Sequence, residues 1–199
     1  MPRPPKARTV ILDAAERIVK ERGAANLTYE ELVLASGVSR GGITYHFATK
    51  DDLLRALIAR DIAQWQEREQ QCRGQCGAGG NELVAELRSL TEPDPEKQRF
   101  VAGMLSAVAH DRSLLAPVRE RERARQPAVW TGAEIDRLVL KLAGAGLFWT
   151  EVFACNEFTA EVRARLVARL EALAARWSPG SGLPLESPSP HPSAKESST

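Results

Sequence analysis

The fold is decided by the stretch Leu27-Thr-Tyr-Glu-Glu-Leu-Val-Leu-Ala-Ser-Gly-Val-Ser-Arg-Gly-Gly-Ile-Thr-Tyr-His-Phe-Ala-Thr-Lys50. Thr28, with a glutamate three residues later, has the pattern of a capping box, which predicts that a helix begins here. That helix is expected to end just before Gly37, because glycine tolerates the left-handed backbone of a tight turn. A second short helix is expected over about 40–47. Residues 28–47 therefore predict a helix-turn-helix motif.

The two short helices divide into a buried side and an outward side. The apolar positions that would lock them at a fixed angle are Leu32, Ala35, Val38, Ile43 and Phe47. The outward residues are small or able to hydrogen-bond, which suits contact with a DNA major groove and its phosphates. These candidate DNA-binding residues are Ser39, Arg40, Gly41, Gly42, Thr44, Tyr45 and His46.

Two further residues are candidate phosphate anchors. Lys50 stands at the expected start of the next helix, and a helix N-terminus together with a lysine makes an anion site. Thr28, at the N-terminus of the first motif helix, is the second candidate. The two anchors would flank the helix that reads the bases.

Helical spacing of apolar residues recurs along the rest of the chain, whereas sustained strand alternation and hairpin signals do not occur. A helix carrying Ile11 and Ile18 precedes the motif, and further helices are predicted over about 49–71, from Asn81, from Pro95, and over about 117–126, 131–155 and 159–177. A glycine-rich break at 74–80 separates the helix predicted over 49–71 from the helix that begins at Asn81.

The predicted fold class is all-α, with two domains. Residues 1–6 are expected to be a flexible basic N-terminus, 7–65 a helix-turn-helix DNA-binding domain, and 66–177 a helical domain for effector binding and dimerisation. Twelve of the last 22 residues are Ser or Pro, and this composition predicts a disordered tail over 178–199.

The motif resembles the tetracycline-repressor (TetR) family of bacterial regulators. The resemblance is carried by Gly37-Val38-Ser39, Gly41, Ile43, His46-Phe47, Lys50 and the Leu53–Leu54 pair, and it covers about residues 7–65. The chain departs from the family at Thr44, where relatives usually carry Tyr; here the Tyr is one residue later, at position 45. The resemblance implies a homodimer with an all-helical ligand-binding body, usually a repressor relieved by a small effector.

Candidate residues for these two roles come from the body. Apolar and aromatic residues between the motif and the last helices predict a pocket for a small, mostly apolar effector: Phe100, Met104, Val108, His110, Trp130, Phe148, Trp149 and Phe153. Apolar stripes on the last two helices predict a four-helix dimer interface through Ile135, Leu138, Leu142, Gly146, Leu166, Leu170 and Leu173. Plain packing within one subunit is the competing interpretation of both sets.

Composition excludes several other classes of protein. The net charge is only +1, but residues 1–60 carry ten Lys and Arg against seven Asp and Glu, which fits a basic DNA-binding end. No apolar run approaches a membrane span. Three cysteines and no secretion signal predict a reducing cytoplasm, and Cys72 and Cys76 lack the partners that a zinc site needs. No catalytic or phosphate-cradling motif occurs, so we expect no enzyme activity, no cofactor and no metal.

Three functions remain open at this point. The first is a repressor that leaves its DNA operator, which is expected to be palindromic, when a small effector binds. The second is a DNA-binding activator or architectural factor whose helical body recruits a protein partner. The third is a helical enzyme or binding module with a vestigial helix-turn-helix. The operator, the regulated genes and the effector are not specified by the sequence.

Overall fold

The computed structural model describes residues 6–75, 81–155 and 158–177, which fold into nine α-helices without any strand. The helices are α1 Lys6–Arg22, α2 Tyr29–Ser36, α3 Arg40–His46, α4 Lys50–Gln75, α5 Glu82–Thr91, α6 Pro95–His110, α7 Ala116–Ala124, α8 Gly132–Val152 and α9 Ala160–Arg176. Short 3-10 helices lie at Ala24–Asn26 and Arg112–Leu115. The all-α prediction is confirmed. The tail predicted to be disordered lies outside the described residues.

Most of these helices begin at a side chain that caps them. Six residues just before a helix accept a backbone N–H from two or three positions ahead: Thr28, Ser39, Asn81, Asp94, Thr131 and Thr159. Such a cap typically stabilises a helix by about 1 kcal/mol. Before α4 the capping is reciprocal, since Thr49 Oγ1 accepts the Asp52 N–H and Asp52 Oδ2 accepts the Thr49 N–H, both at 3.1 Å.

Helix α4 is longer than predicted, since it continues to Gln75 instead of ending near residue 71. Its last turn is held by Arg73, which donates to Glu69 at 2.9 Å and to Glu82 at 2.8 Å. Glu69 lies four residues earlier on the same helix, so this pair stabilises the helical turn itself.

The larger apolar cluster, called here the head core, lies between the helices α1, α2, α3, α4 and α6. Its most deeply buried members include Ile11, Leu32, Ile43 and Leu53, and it extends to Phe100 and Met104 of α6. The motif therefore shares its core with a helix from the second half of the chain. Any movement of α6 acts on packing that the motif depends on.

A single glycine sets the distance between α1 and α6. A Cβ at Gly103 would lie 2.2 Å from the backbone oxygen of Val19. Only a residue without a side chain permits this approach, so the two helices contact each other almost backbone to backbone at this point. We call this contact the α1–α6 seam.

The smaller cluster, the body core, lies between α5, α8 and α9 and consists of Leu83, Val84, Leu87, Leu140, Leu170, Ala174 and Trp177. A Cβ at Gly144 would lie 3.0 Å from Leu87. The close approach at Gly144 is to α5 of the same subunit, because that glycine faces inward, whereas Gly146, the predicted dimer residue, is exposed.

Beside the body core lies a buried group of charges that we call the ion cluster. Glu69 and Glu86 are 3% and 5% exposed. Glu69 accepts from Arg125 through both oxygens at 2.9 Å. Glu86 is within 3.1 Å of Arg125, Arg137 and Lys141. The ion cluster thus links α4, α5, α7 and α8 through charge, in addition to the apolar contact of α5 with α8 in the body core.

Burial and charge act in opposite directions on Glu69. Its burial raises the carboxyl pKa, but the hydrogen bonds and positive charges of Arg125 and Arg73 outweigh burial and leave the pKa below its ordinary value. The carboxylate is therefore charged at neutral pH and holds its arginines.

Within the described ranges, every helix is too short or too polar to cross a lipid bilayer.

Candidate nucleic-acid interface

The turn between α2 and α3 is built around Gly37, whose φ of 67° lies in the left-handed region. Its backbone N–H donates to Val33 O at 3.0 Å and closes α2. Ser36 adds a second link, because its hydroxyl donates to Leu32 O at 2.5 Å and accepts the Val38 N–H at 3.1 Å. The turn predicted from the sequence forms, and its glycine is required because other residues are strained at this φ.

The inner side of α3 is fixed to the head core. Ile43 is fully buried, and Phe47 lies next to it. The Tyr29 hydroxyl donates to the Phe47 carbonyl at 3.1 Å, which links the start of α2 to the end of α3. With one side held in this way, the other side of α3 is presented as a rigid surface.

The outer side of α3 carries the predicted DNA-binding residues. Arg40, Gly41, Thr44 and Tyr45 are exposed, whereas Gly42 and His46 are half-buried. Tyr45 is 85% exposed, and its ring contacts the edge of His46 with centroids 5.2 Å apart. An aromatic ring left in water on a helix whose opposite side is sealed is available to a partner.

Thr44, the position at which the chain departs from the family pattern, is turned back on its own helix. Its hydroxyl donates to the carbonyls of Arg40 and Gly41 at 3.1 and 3.2 Å. A hydroxyl bonded in this way still has lone pairs but points along the helix. Tyr45, which projects from α3, is the longer of the two side chains.

The adjacent glycines of α3 differ in their surroundings. A Cβ at Gly42 would lie 2.8 Å from Val38 and 3.3 Å from Ser39, whereas a Cβ at Gly41 would meet nothing within 4 Å. A Cβ at position 42 would therefore force the Val38 side chain to shift, while the small size of Gly41 affects only the outer surface.

Two residues that the sequence analysis did not single out position Arg40. Its guanidinium forms an ion pair with Glu30 on α2 and lies 5.7 Å from the centre of the Tyr29 ring. The pKa of Glu30 is lowered, first by a hydrogen bond from its own backbone N–H and then by Arg40. In the sequence, Glu30 and Arg40 are ten residues apart, and the turn between α2 and α3 brings them together. This separation was the only signal of the pair.

The candidate anchors lie at helix starts. Thr28 is the exposed cap of α2, and Lys50 is the first residue of α4. The Lys50 ammonium donates to the Ala25 carbonyl at 3.4 Å, so it points toward the loop that leads into Thr28. Arg8 of α1, which was not predicted, lies 5.3 Å over the Phe47 ring. Basic side chains of α1, α3 and α4 thus border the same motif.

The eight predicted effector residues are dispersed in the structure. Phe100, Met104 and Phe148 are buried, Val108 is half-buried, and His110, Trp130, Trp149 and Phe153 are exposed. Among these eight, Phe100 lines a cavity of about 250 Å³ between α1, α4 and α6. The structure does not bring the others to that cavity.

The seven predicted dimer residues also divide. Ile135, Leu142, Gly146 and Leu166 are exposed, Leu138 and Leu173 are half-buried, and Leu170 lies in the body core. Four of the seven are therefore open to a partner, and Leu170 already packs within its own subunit.

Comparison with known families gives two matches along the chain. Residues 11–57 match the model of bacterial regulatory proteins of the tetR family. Residues 81–175 match the tetracyclin repressor-like C-terminal domain. The first match contains the whole helix-turn-helix. The second contains the body core except for Trp177 and the ion cluster except for Glu69.

Individual relatives agree with these matches. The HTH-type transcriptional repressor AcnR of Corynebacterium glutamicum is 35% identical over 100 residues, which are 50% of this chain and 48% of AcnR. The chain thus spans about half the length of this curated relative. SCO7518 of Streptomyces coelicolor A3(2) has the same fold, with a TM-score of 0.64 at 19% identity over 84% of this chain and 99% of that one.

The multidrug binding protein EbrR, complexed with imidazole, is similar in fold too, with a TM-score of 0.62 at 20% identity over 84% of this chain and 96% of that one. The two family matches together span most of the described residues, and they agree with the turn and the exposed face of α3. The chain therefore belongs to the TetR family of helix-turn-helix transcriptional regulators, a family without enzymatic activity.

Proposed function

We propose that this protein is a homodimeric repressor that binds a palindromic operator through two α3 helices and leaves it when a small effector binds. The observation that carries the DNA-binding part is the two-sided character of α3. Ile43 is fully buried while Tyr45 is 85% exposed, and the capped, glycine-closed turn holds this orientation. A rigid helix of this kind fits the major groove, with its N-terminal residues against base edges.

Arg40 is the residue we expect to read a base. It stands at the first position of α3, and Tyr29 and Glu30 hold its side chain at the surface. An arginine that donates two hydrogen bonds to guanine is the commonest specific contact in the major groove. Tyr45, Thr28 and Lys50 are assigned to the sugar–phosphate backbone.

The homodimer is supported by an exposed apolar row on α8. Ile135, Val139, Leu142, Trp149 and Phe153 are each at least 40% exposed, and Gly146 is exposed among them. Their spacing of 4, 3, 4, 3 and 4 residues is that of a helix packing lengthwise on another helix. Val162 and Leu166 of α9 add exposed apolar surface. We expect a second copy of the chain to cover this row, because a dimer can place its two α3 helices at DNA half-sites about 34–36 Å apart.

Repression and effector release are supported by two similar proteins and by the position of α6. AcnR, which matches half of this chain, is named as a repressor, and EbrR of the same fold was crystallised with imidazole. In this chain α6 contributes to the head core, so a molecule bound against α6 would alter the packing of the motif. The effector is expected to be small and mostly apolar.

The proposal is tested by DNA binding of the full-length protein to a duplex enriched from a random library. Fluorescence anisotropy at several salt concentrations should give saturable binding that weakens as salt rises. Arg40→Ala should weaken binding of the enriched duplex by about 10- to 100-fold and leave binding of random duplex nearly unchanged.

Arg123→Ala is the matched control, because Arg123 is an exposed arginine on α7, far from the motif in the chain. It should bind like the unchanged protein. Equal affinities of the two variants for the enriched duplex would contradict the assignment of α3 as the reading helix.

A further inference from the structure

A lysine side chain of the protein lies in the wall of the cavity between α1, α4 and α6. The volume of the cavity is about 250 Å³, and its walls include the side chains of Leu57, Trp65 and Phe100. Pockets for drug-sized ligands are typically about 300–1,000 Å³, so this cavity suits a smaller molecule. It lies where the head core meets the N-terminal half of α6.

The ammonium group of Lys97 occupies a cation position on the cavity wall. Its Nζ lies 3.9 Å from the centre of the Trp65 ring and 3.2 and 3.3 Å from the two Asp61 oxygens. Trp65 is itself fixed, because its Nε1 donates to Ser89 Oγ at 3.2 Å. An indole face opposite a carboxylate is the arrangement that proteins use to hold organic ammonium ions.

The charges around the cavity favour a cation over an anion. Four carboxylates and three cationic side chains line it, and Lys97 is one of the three. If Lys97 turned outward, the lining would carry two more negative than positive charges. An anion would have to enter against those carboxylates.

Burial opposes the charge of Lys97, although Asp61 and Trp65 both contact its ammonium. Lys97 is 9% exposed, and burial lowers the pKa of its ammonium even though Asp61 raises it. A lysine ammonium is strongly hydrated and loses that hydration here. A methylated ammonium ion is less hydrated, gives up less on entry, and keeps the attraction of the indole face.

We propose that this cavity binds a small methylated ammonium ion, which displaces the Lys97 side chain from between Trp65 and Asp61. The site is separate from the DNA-reading face and from the exposed row on α8. It borders α6 one to two turns before the α1–α6 seam, where Gly103 contacts Val19. An ion bound there changes the position of α6 relative to α1. This regulatory consequence rests on the proposed repressor function, whereas the binding itself does not.

Tetramethylammonium chloride is the probe, with sodium chloride at equal ionic strength as the salt control. Isothermal titration of the full-length protein should show saturable binding of tetramethylammonium and none of sodium. Lys97→Met removes the competing ammonium and keeps an apolar stem of similar length, so its affinity should rise by about tenfold or more. A misfolded variant would not gain affinity.

Two further variants distinguish binding of the ion in this cavity from nonspecific binding to the protein. Trp65→Leu should weaken binding by about tenfold or more in the Lys97→Met background. Trp130→Leu, which removes an exposed tryptophan elsewhere, should leave it unchanged. Absence of saturable binding in both the unchanged protein and Lys97→Met overturns the proposal, as does equal loss in the two tryptophan variants.

The effect of the ion on DNA binding is measured separately. Tetramethylammonium should lower the affinity for the enriched duplex in the unchanged protein and at lower concentration in Lys97→Met. Binding of the ion without any change in DNA affinity overturns the regulatory role but leaves the site. Binding of the ion by a protein that binds no DNA refutes the proposed function and leaves the site as well.

Discussion

The two halves of this protein achieve burial in different ways. The head core gathers eighteen buried apolar residues, whereas the body core gathers seven. The body instead buries Glu69 and Glu86 among arginines and leaves the apolar row of α8 in water. Apolar burial is the main source of folding free energy. The head is therefore complete in one copy, while the body has its charges inside and an apolar surface outside, which the proposed second copy would cover.

The largest expected effect comes from breaking the ion cluster. Glu86→Gln removes the buried carboxylate that the half-buried cations Arg125, Arg137 and Lys141 share, so these cations lose a counter-charge. Breaking a buried ion pair in this way costs about 3–5 kcal/mol. Urea denaturation followed by circular dichroism measures the loss.

Glu82→Gln on the same helix is the matched control. Glu82 also pairs with an arginine, but its side chain is 56% exposed. An exposed pair contributes about 0–1 kcal/mol. Similar losses for both variants would show that the ion cluster is no more important to the body than a surface pair.

The next effect tests the link between the halves. Gly103→Ala places a Cβ against the Val19 backbone and forces α6 away from α1. Overpacking of this kind costs about 1–3 kcal/mol, and the head core should lose stability because α6 belongs to it. Gly74→Ala on α4, at an exposed position whose Cβ meets nothing within 4 Å, should be neutral or slightly stabilising. If both variants melt alike, the α1–α6 seam is not the constraint that we infer.

A third prediction concerns the exposed row. Leu142→Glu puts a charge in the middle of the α8 row, and we expect about a tenfold or greater loss of dimer affinity, because a charge buried in an apolar interface is left unpaired. Sedimentation velocity over a range of concentrations measures it. Leu34→Glu changes an even more exposed leucine in the head and should leave the oligomeric state as it is. A monomeric unchanged protein would contradict the account of the body.

The smallest effects are expected within α3. Gly41→Ala fills open space and removes a poor helix former, so stability should rise by up to about 1 kcal/mol. Gly42→Ala meets Val38 and should lose that gain to the clash. Thermal melts distinguish the two. If Gly42→Ala is the more stable variant, the packing ascribed to the turn is wrong.

The difference between the halves also explains which parts of the structure could be predicted from the sequence. The helix-turn-helix depends on residues close together in the chain, such as the Thr28 cap and Gly37, and its boundaries were predicted within a residue or so. The ion cluster joins Glu69, Glu86, Arg125 and Arg137 across four helices, and nothing in the local sequence marks which glutamates are buried. The packing of Gly144 on α5 could not be predicted for the same reason, because a glycine in a helix does not reveal which neighbour approaches it.

The central claim is that two α3 helices of a dimer read one operator. Hydroxyl-radical footprinting of the full-length protein on its enriched duplex tests it most directly. The account predicts two protected patches on one face of the DNA, with centres about 10–10.5 base pairs or a multiple apart. It also predicts that both patches disappear with Arg40→Ala at the same protein concentration. A single protected patch, or two patches that persist in Arg40→Ala, would contradict it.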